Sequence, residues 1–154
     1  MKKYIAFLII IMATLSCSTS NNAQQNPDTA ISQLEYKAYT RGSNKEVVVT
    51  RDKIKVNEVR MGKNIEAAYP LSKNDWNKLA GLAGNIKLDK MESLEAPSKK
   101  HQFDGAMAAN LIINNGATTY NSVTIDDGNP PTALKALVDE IIGLSGVGKI
   151  QVQE

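Results

Sequence analysis

The stretch FDGAMAANLIINNGATTYNSVTIDDGNPPTALKALVDEIIGL, residues 103–144, decides the fold because it predicts a β-hairpin followed directly by a helix. Residues 107–113 and 118–125 are β-compatible runs, and Asn115-Gly116 lies between them. Asn-Gly favours a type I′ turn, since both residues tolerate the positive φ that this turn requires at its two central positions. The pattern therefore predicts two antiparallel strands joined at Asn115 and Gly116.

The second half of the same stretch predicts an amphipathic helix. Asn129 is a suitable N-cap residue, and Pro130 suits the first helical position because that position donates no hydrogen bond within the helix. Gly143 and Gly146 are the predicted places for the helix to end. Apolar residues recur between these ends with the spacing of one helical face, at Leu134, Leu137, Val138, Ile141 and Ile142.

The region before this stretch has the alternation of half-buried strands. The first predicted strand places Leu34, Tyr36, Ala38 and Thr40 on one face. It ends at Gly42-Ser43-Asn44, and further strand candidates follow at residues 46–50, 53–61 and 65–69. Such closely spaced strands are typical of an antiparallel meander.

A second helix is predicted to begin at Ser72. Ser72 can cap this helix, Asp75 has the capping-box position, and Leu71 and Trp76 have the two positions of a hydrophobic staple. The helix is predicted to end at Gly84. The buried stripe is predicted to contain Trp76, Leu79, Ala80, Ala83 and Ile86.

These elements predict a single α+β domain over residues 31–154, with an antiparallel meandering sheet of about five to six strands covered by two amphipathic helices. Trp76, the only tryptophan, is expected in the core of this domain rather than in a ligand platform. Residues 87–102 show little periodicity and are expected to form a long surface loop, the kind of segment in which function often lies. Residues 147–154 are expected to add an edge strand or to fray.

The N-terminus has the parts of an export signal. Lys2 and Lys3 precede an apolar run at residues 5–13, and small residues lead to Cys17. The apolar run is too short to span a bilayer as a helix. The pattern therefore favours a signal peptide over a membrane anchor.

The tetrapeptide Thr14-Leu15-Ser16-Cys17 resembles the lipobox of bacterial lipoprotein signal peptides, in which the cysteine is acylated and becomes the mature N-terminus. It departs from that pattern at Thr14, where the family prefers Leu, and at Leu15, where it prefers a small residue. The resemblance implies a signal peptide over residues 1–16 and a lipid-modified, palmitate-bearing Cys17. The alternative is cleavage by ordinary signal peptidase, which would leave Cys17 a plain thiol. Acylation accounts for a lone cysteine in an exported chain.

Residues 17–30 would form the lipidated N-terminus and a polar linker, whose typical span is about 20 Å. No acidic run follows Cys17, so we expect the domain to lie on the periplasmic side of the outer membrane. Removal of Lys2 and Lys3 would leave 16 basic and 16 acidic residues. This balance removes the electrostatic argument for binding nucleic acid, and we expect no nucleic-acid partner and no cofactor.

Four residues carry the chemistry that the sequence offers: His101, Asp104, Asp126 and Asp127. His101 and Asp104 could form an acid–base pair, but a solvated loop histidine is the favoured interpretation. The stretch that begins at Asp126 and Asp127 lacks the alternating ligands and the distal glutamate of a calcium loop. Turn formation and helix capping account for these two aspartates. We therefore expect no catalytic residue and no metal site.

The domain also resembles a group of small, uncharacterised bacterial lipoproteins, and its order of elements is similar to emfourin, an inhibitor of thermolysin-type metallopeptidases. The first resemblance is carried by residues 71–76, Asp104-Gly105 and residues 127–131, and the second by topology and the Asp-Gly-plus-hairpin layout. Neither transfers a functional motif.

Two classes of function follow. The favoured one is a membrane-anchored, non-enzymatic protein-binding or inhibitory module with a periplasmic or envelope protein as partner. The alternative is a small enzyme or metal-binding protein built on the region of His101, Asp104, Asp126 and Asp127, which requires these four side chains to converge in a pocket.

Overall fold

The computed structural model describes residues 31–60 and 62–147, and the signal peptide, Cys17, the linker and the end of the predicted C-terminal tail lie outside these residues. An antiparallel sheet of seven strands is packed with two helices, which confirms the predicted α+β class. The strand order is β4-β3-β2-β1-β5-β6, and β7 pairs with β5. The elements are β1 Gln33–Thr40, β2 Ser43–Val49, β3 Lys53–Arg60, β4 Lys63–Pro70, α1 Lys73–Gly84, β5 Ala108–Asn114, β6 Thr119–Asn121, β7 Ile125–Asp126 and α2 Thr132–Ser145.

One face of the sheet forms the core. The register aligns Leu111, Tyr36, Val47 and Val56 across four neighbouring strands, and all four are buried. The predicted alternation of β1 is confirmed for Leu34, Tyr36 and Ala38, which are buried, whereas Thr40 at the end of the strand is exposed. The apolar stripe of α2 closes the core from the other side through Leu134, Leu137, Val138 and Ile141.

The start of α1 follows the sequence prediction. The Asp75 amide donates to Oγ of Ser72 at 3.1 Å, and Leu71 and Trp76 are both buried. The helix ends at Gly84, as predicted.

The predicted start of α2 at Asn129 is wrong. The helix begins at Thr132 after Pro131, which has extended φ and ψ and makes no side-chain cap. Pro131 also disfavours helical geometry for Pro130, because the residue before a proline is pushed towards extended conformations. At the other end, α2 continues through Gly143 and ends at Gly146, whose φ of 62° is left-handed.

The predicted hairpin forms, but its turn is not type I′. Asn114 pairs with Thr119, so the loop spans residues 115–118, and only Gly116 has positive φ there. Oδ1 of Asn115 instead accepts hydrogen bonds from the amides of Ala117 and Thr118, which stabilises a wider loop.

The second strand of the hairpin is interrupted at Ser122, so a continuous strand over residues 118–125 is wrong. Oγ of Ser122 accepts a hydrogen bond from the Leu111 amide at 2.9 Å, in the place of a backbone carbonyl, while the Ser122 amide still donates to the Leu111 carbonyl at 2.8 Å. The remaining pieces are β6 and β7. The predicted loop over residues 87–102 also contains regular structure, with 3₁₀ helices at Leu88–Ser93 and Lys100–Phe103.

Candidate functional site

The carboxylate of Asp126 holds a surface loop in place. Asp126 is 3% exposed. Its Oδ2 accepts hydrogen bonds from Oγ of Ser98 at 2.5 Å and from the Lys100 amide at 2.9 Å. Its Oδ1 accepts from the His101 amide at 2.8 Å and contacts Nδ1 of His101 at 2.6 Å. Since an ionised carboxylate only accepts hydrogen bonds, Nδ1 of His101 carries the hydrogen in that contact.

These contacts cap the short 3₁₀ helix at Lys100–Phe103 from its N-terminal end. Burial raises the pKa of Asp126, but the hydrogen bonds from Ser98 and from the His101 and Lys100 amides outweigh it and hold the pKa well below its usual range. Asn129 adds a further contact, donating from Nδ2 to Oγ of Ser98 at 2.7 Å. We call residues 98–105 the clamped loop.

The clamped loop presents Phe103 to solvent. Phe103 is 83% exposed, the largest value among the exposed large hydrophobic residues of the described chain. The next residue, Asp104, has a φ of 56° and is the only non-glycine residue with positive φ in the described ranges. The Gly105 amide donates to the Lys100 carbonyl at 2.9 Å, and a Cβ at Gly105 would lie 3.3 Å from Lys100. The chain therefore turns back sharply after Phe103.

Asp127 belongs to a different network. Its Oδ1 accepts a hydrogen bond from the Tyr36 hydroxyl at 2.7 Å, and its Oδ2 lies 2.6 Å from Nζ of Lys45. The Tyr36 hydroxyl also accepts from the Gly128 amide at 3.2 Å. Burial and then the hydrogen bond to Asp127 raise the pKa of Tyr36 well above its ordinary value. This network ties β1 and β2 to the turn before α2.

The structure brings together only two of the four predicted site residues. His101 contacts Asp126 rather than Asp104, so the possible acid–base pair with Asp104 does not form. The favoured interpretation of a solvated loop histidine is wrong, because the His101 side chain is only 12% exposed. Asp104 is exposed, and Asp127 is directed to Tyr36 and Lys45. No group of three or more histidine, cysteine or acidic residues is placed to bind a metal within the described ranges. The helix-capping role predicted for Asp126 is also corrected, because its carboxylate caps the clamped loop and not α2.

A groove lies beside α1, with a volume of about 1000 Å³. We call it the α1 groove. Trp76, 4% exposed, is part of its lining, so the prediction that Trp76 is buried is confirmed although the residue also borders a concavity. The other apolar side chains of the lining are Ile31, Leu71, Ala80, Ala83, Ile86, Leu88 and Tyr120.

The α1 groove and the clamped loop lie at opposite ends of β1. Ile31, which lines the groove, precedes the start of β1 at Gln33. The clamped loop leads into Ala108, which pairs with Tyr39 near the other end of β1. A strand of 8 residues separates these ends by about 26 Å.

Comparison with protein-family models, curated proteins and solved structures finds no match to this chain. Among the described residues, neither helix has the length and hydrophobicity needed to cross a bilayer.

Proposed function

We propose that this chain is a lipid-anchored, non-enzymatic protein-binding module of the bacterial envelope, with inhibition of the bound protein as one form of that function. Acylated Cys17 would hold the domain at the periplasmic face of the outer membrane, and Phe103 would be its principal contact with a periplasmic or envelope protein. The observation that carries the proposal is an exposed phenyl ring on a loop clamped by a buried carboxylate.

A single exposed apolar residue is common on protein surfaces, so exposure alone is weak support. The clamped loop strengthens the support for a binding role, because four hydrogen-bond contacts to Asp126 fix the backbone that leads to Phe103. A rigid aromatic side chain loses little conformational freedom on binding, and such anchors often supply much of an interface's affinity.

The charges beside Phe103 indicate what its partner would present. Lys99 and Lys100 are exposed, and neither side chain forms an ion pair with another described residue. An apolar pocket for the phenyl ring with acidic residues at its rim would complement this surface. Rim charges of this kind accelerate association more than they increase affinity.

The position of the loop favours a protein over the bilayer as the partner. The linker joins the domain at Ile31, just before β1, whereas the clamped loop that contains Phe103 leads into Ala108 beside the far end of β1. When the linker before Ile31 is extended away from the membrane, Phe103 would therefore lie on the side of the domain that faces away from the membrane. The exposed aromatic side chain would meet proteins in the periplasm before it met lipid.

Photo-crosslinking in intact cells tests this proposal. A photoreactive amino acid at Gln102, an exposed neighbour of Phe103, should form a discrete adduct with a protein. Phe103→Ala should reduce the adduct by about thirtyfold, the effect of losing a contact of about 2 kcal/mol. Tyr69→Ala is the matched control, since Tyr69 is exposed but lies on β4.

Recovery of the same protein adduct at the same yield from Phe103→Ala cells would contradict the role of Phe103. An adduct that contains only lipid would contradict the protein-binding function. The anchor is tested separately by mass spectrometry of the mature N-terminus, where an unmodified Cys17 thiol would refute it.

A further inference from the structure

We propose that the α1 groove binds the acyl chain of an anionic lipid from the membrane to which the domain is tethered. This inference goes beyond the proposed protein-binding function. It rests on the proposed lipid anchor only because the anchor would bring the groove close to the membrane that supplies the lipid. The occupant would lie at the end of the domain opposite Phe103.

The groove has the chemistry and size for a long apolar chain. Its lining includes the aromatic rings of Trp76 and Tyr120 and the aliphatic side chains of Ile31, Leu71 and Ile86. Its volume of about 1000 Å³ is at the upper end of the range for small-molecule sites, which are mostly apolar with a few polar groups.

Two glycines of α1 keep the groove open. Gly81 and Gly84 both line it, and a Cβ atom at either position would meet nothing within 4 Å. Neither has positive φ, so the backbone does not require glycine there. Gly81 is moreover an unfavourable residue in a helix interior. A larger residue at Gly81 would therefore fill the groove without straining α1.

The rim of the groove favours a negatively charged head group. Arg51 and Lys73 line it, and neither side chain is ion-paired with another described residue. Asp52 and Asp89 also lie at the rim, but Asp52 accepts a hydrogen bond from Thr50 and Asp89 lies 3.4 Å from Nζ of Lys90. Counting Lys90 beside Asp89, three cations (Arg51, Lys73 and Lys90) face two carboxylates (Asp52 and Asp89), which leaves the rim with an excess of one positive charge.

The proposed lipid anchor favours a membrane lipid over other apolar ligands as the molecule bound in the groove. Ile31 lines the groove and directly follows the linker, so the groove would lie within a typical span of about 20 Å from an acylated Cys17. The linker itself, STSNNAQQNPDTA at residues 18–30, is polar and is a poor match to an apolar lining. A bilayer supplies acyl chains and anionic head groups at that distance.

Fluorescence of Trp76 provides a direct test, because it is the only tryptophan and lines the groove. The lipidated chain would be reconstituted in vesicles of phosphatidylethanolamine and phosphatidylglycerol whose acyl chains carry bromine, a quencher that acts at contact range. We expect strong quenching in the wild type and its loss in Gly81→Leu. Gly143→Leu is the matched control, since Gly143 is exposed, lies within α2 and has open space around it.

Equal quenching in the wild type and Gly81→Leu would overturn the proposal, since it would indicate contact with the membrane outside the groove. No quenching in vesicle-bound wild type would also overturn it, since no brominated acyl chain would then contact Trp76.

Flotation with the vesicles reports the anchor independently of the groove. If the chain does not float, bromine-labelled lysophosphatidylglycerol added as a monomer tests the groove in solution. Quenching that Gly81→Leu abolishes supports the site, and its absence refutes it.

Discussion

Asp126 and Asp127 are adjacent in the chain, yet their carboxylates stabilise different parts of the fold. Asp126 binds the loop that contains Ser98 and His101, while Asp127 binds Tyr36 and Lys45 of the sheet. Asp126 is the last residue of β7, whereas Asp127 begins the turn that follows it, so the two carboxylates reach different neighbours. Asp126 thereby holds the clamped loop, whereas Asp127 ties β1 and β2 to the turn before α2.

Asp126→Asn should loosen the clamped loop. The substitution replaces an acceptor carboxylate by an amide that has one acceptor oxygen and an added donor, so the contacts from Ser98, Lys100 and His101 cannot all be satisfied. Hydrogen exchange at the Lys100 and His101 amides should become faster by on the order of tenfold or more. Asp127→Asn is the matched control and should leave these two exchange rates unchanged. Unaltered protection in Asp126→Asn would show that the loop is held by other contacts.

The free energy of unfolding should depend on the ionisation of Asp126. Its pKa is lowered in the folded protein, so the unfolded chain binds a proton more readily and acid favours unfolding. The stabilisation is complete above the ordinary aspartate pKa of about 3.9 and is lost as the pH falls through the lower folded value. Urea unfolding between about pH 5 and pH 2 should therefore show a steeper loss of stability in the wild type than in Asp126→Asn. Parallel curves would contradict this linkage.

Tyr36→Phe should destabilise the domain by about 1–3 kcal/mol, because the hydroxyl is buried and its loss leaves the Gly128 amide and one oxygen of Asp127 without this partner. Chemical denaturation measures the change. Tyr39→Phe is the control, since Tyr39 is 54% exposed, and it should alter stability by less than about 0.5 kcal/mol. A similar effect of the two substitutions would indicate that the buried network contributes little.

Local patterns predicted the elements whose stability comes from local contacts. The capping of α1 by Ser72 involves residues three positions apart, and the alternation of β1 reflects the burial of one face of the sheet. The α1 groove could not be predicted in this way, since its lining comes from the segment before β1, the β2–β3 turn, α1, the 3₁₀ helix at Leu88–Ser93 and β6. The tryptophan was correctly assigned to the core, but the space beside it depends on how these elements pack.

The role of Asp126 was not predictable because its partners are distant in sequence. Ser98 and His101 precede it by 28 and 25 positions, and an Asp-Asp-Gly-Asn segment before a predicted helix is equally consistent with capping. Lys45 and Tyr36 carried no signal that they would meet Asp127. One local clue was available, since Pro130 followed by Pro131 disfavours a helix start at Pro130.

Trp76→Ala should cost about 3–5 kcal/mol, because Trp76 is nearly buried against the core and its removal would enlarge the α1 groove into a cavity. Tyr69→Ala, at a residue that is 41% exposed, should cost less than about 1 kcal/mol. Gly81→Leu should have the opposite sign and stabilise α1 by roughly 1 kcal/mol, since leucine is a better helix former and the added side chain has open space. Urea unfolding of the three variants measures these changes. A loss below about 1 kcal/mol for Trp76→Ala would mean that the groove, and not the core, determines the environment of this tryptophan.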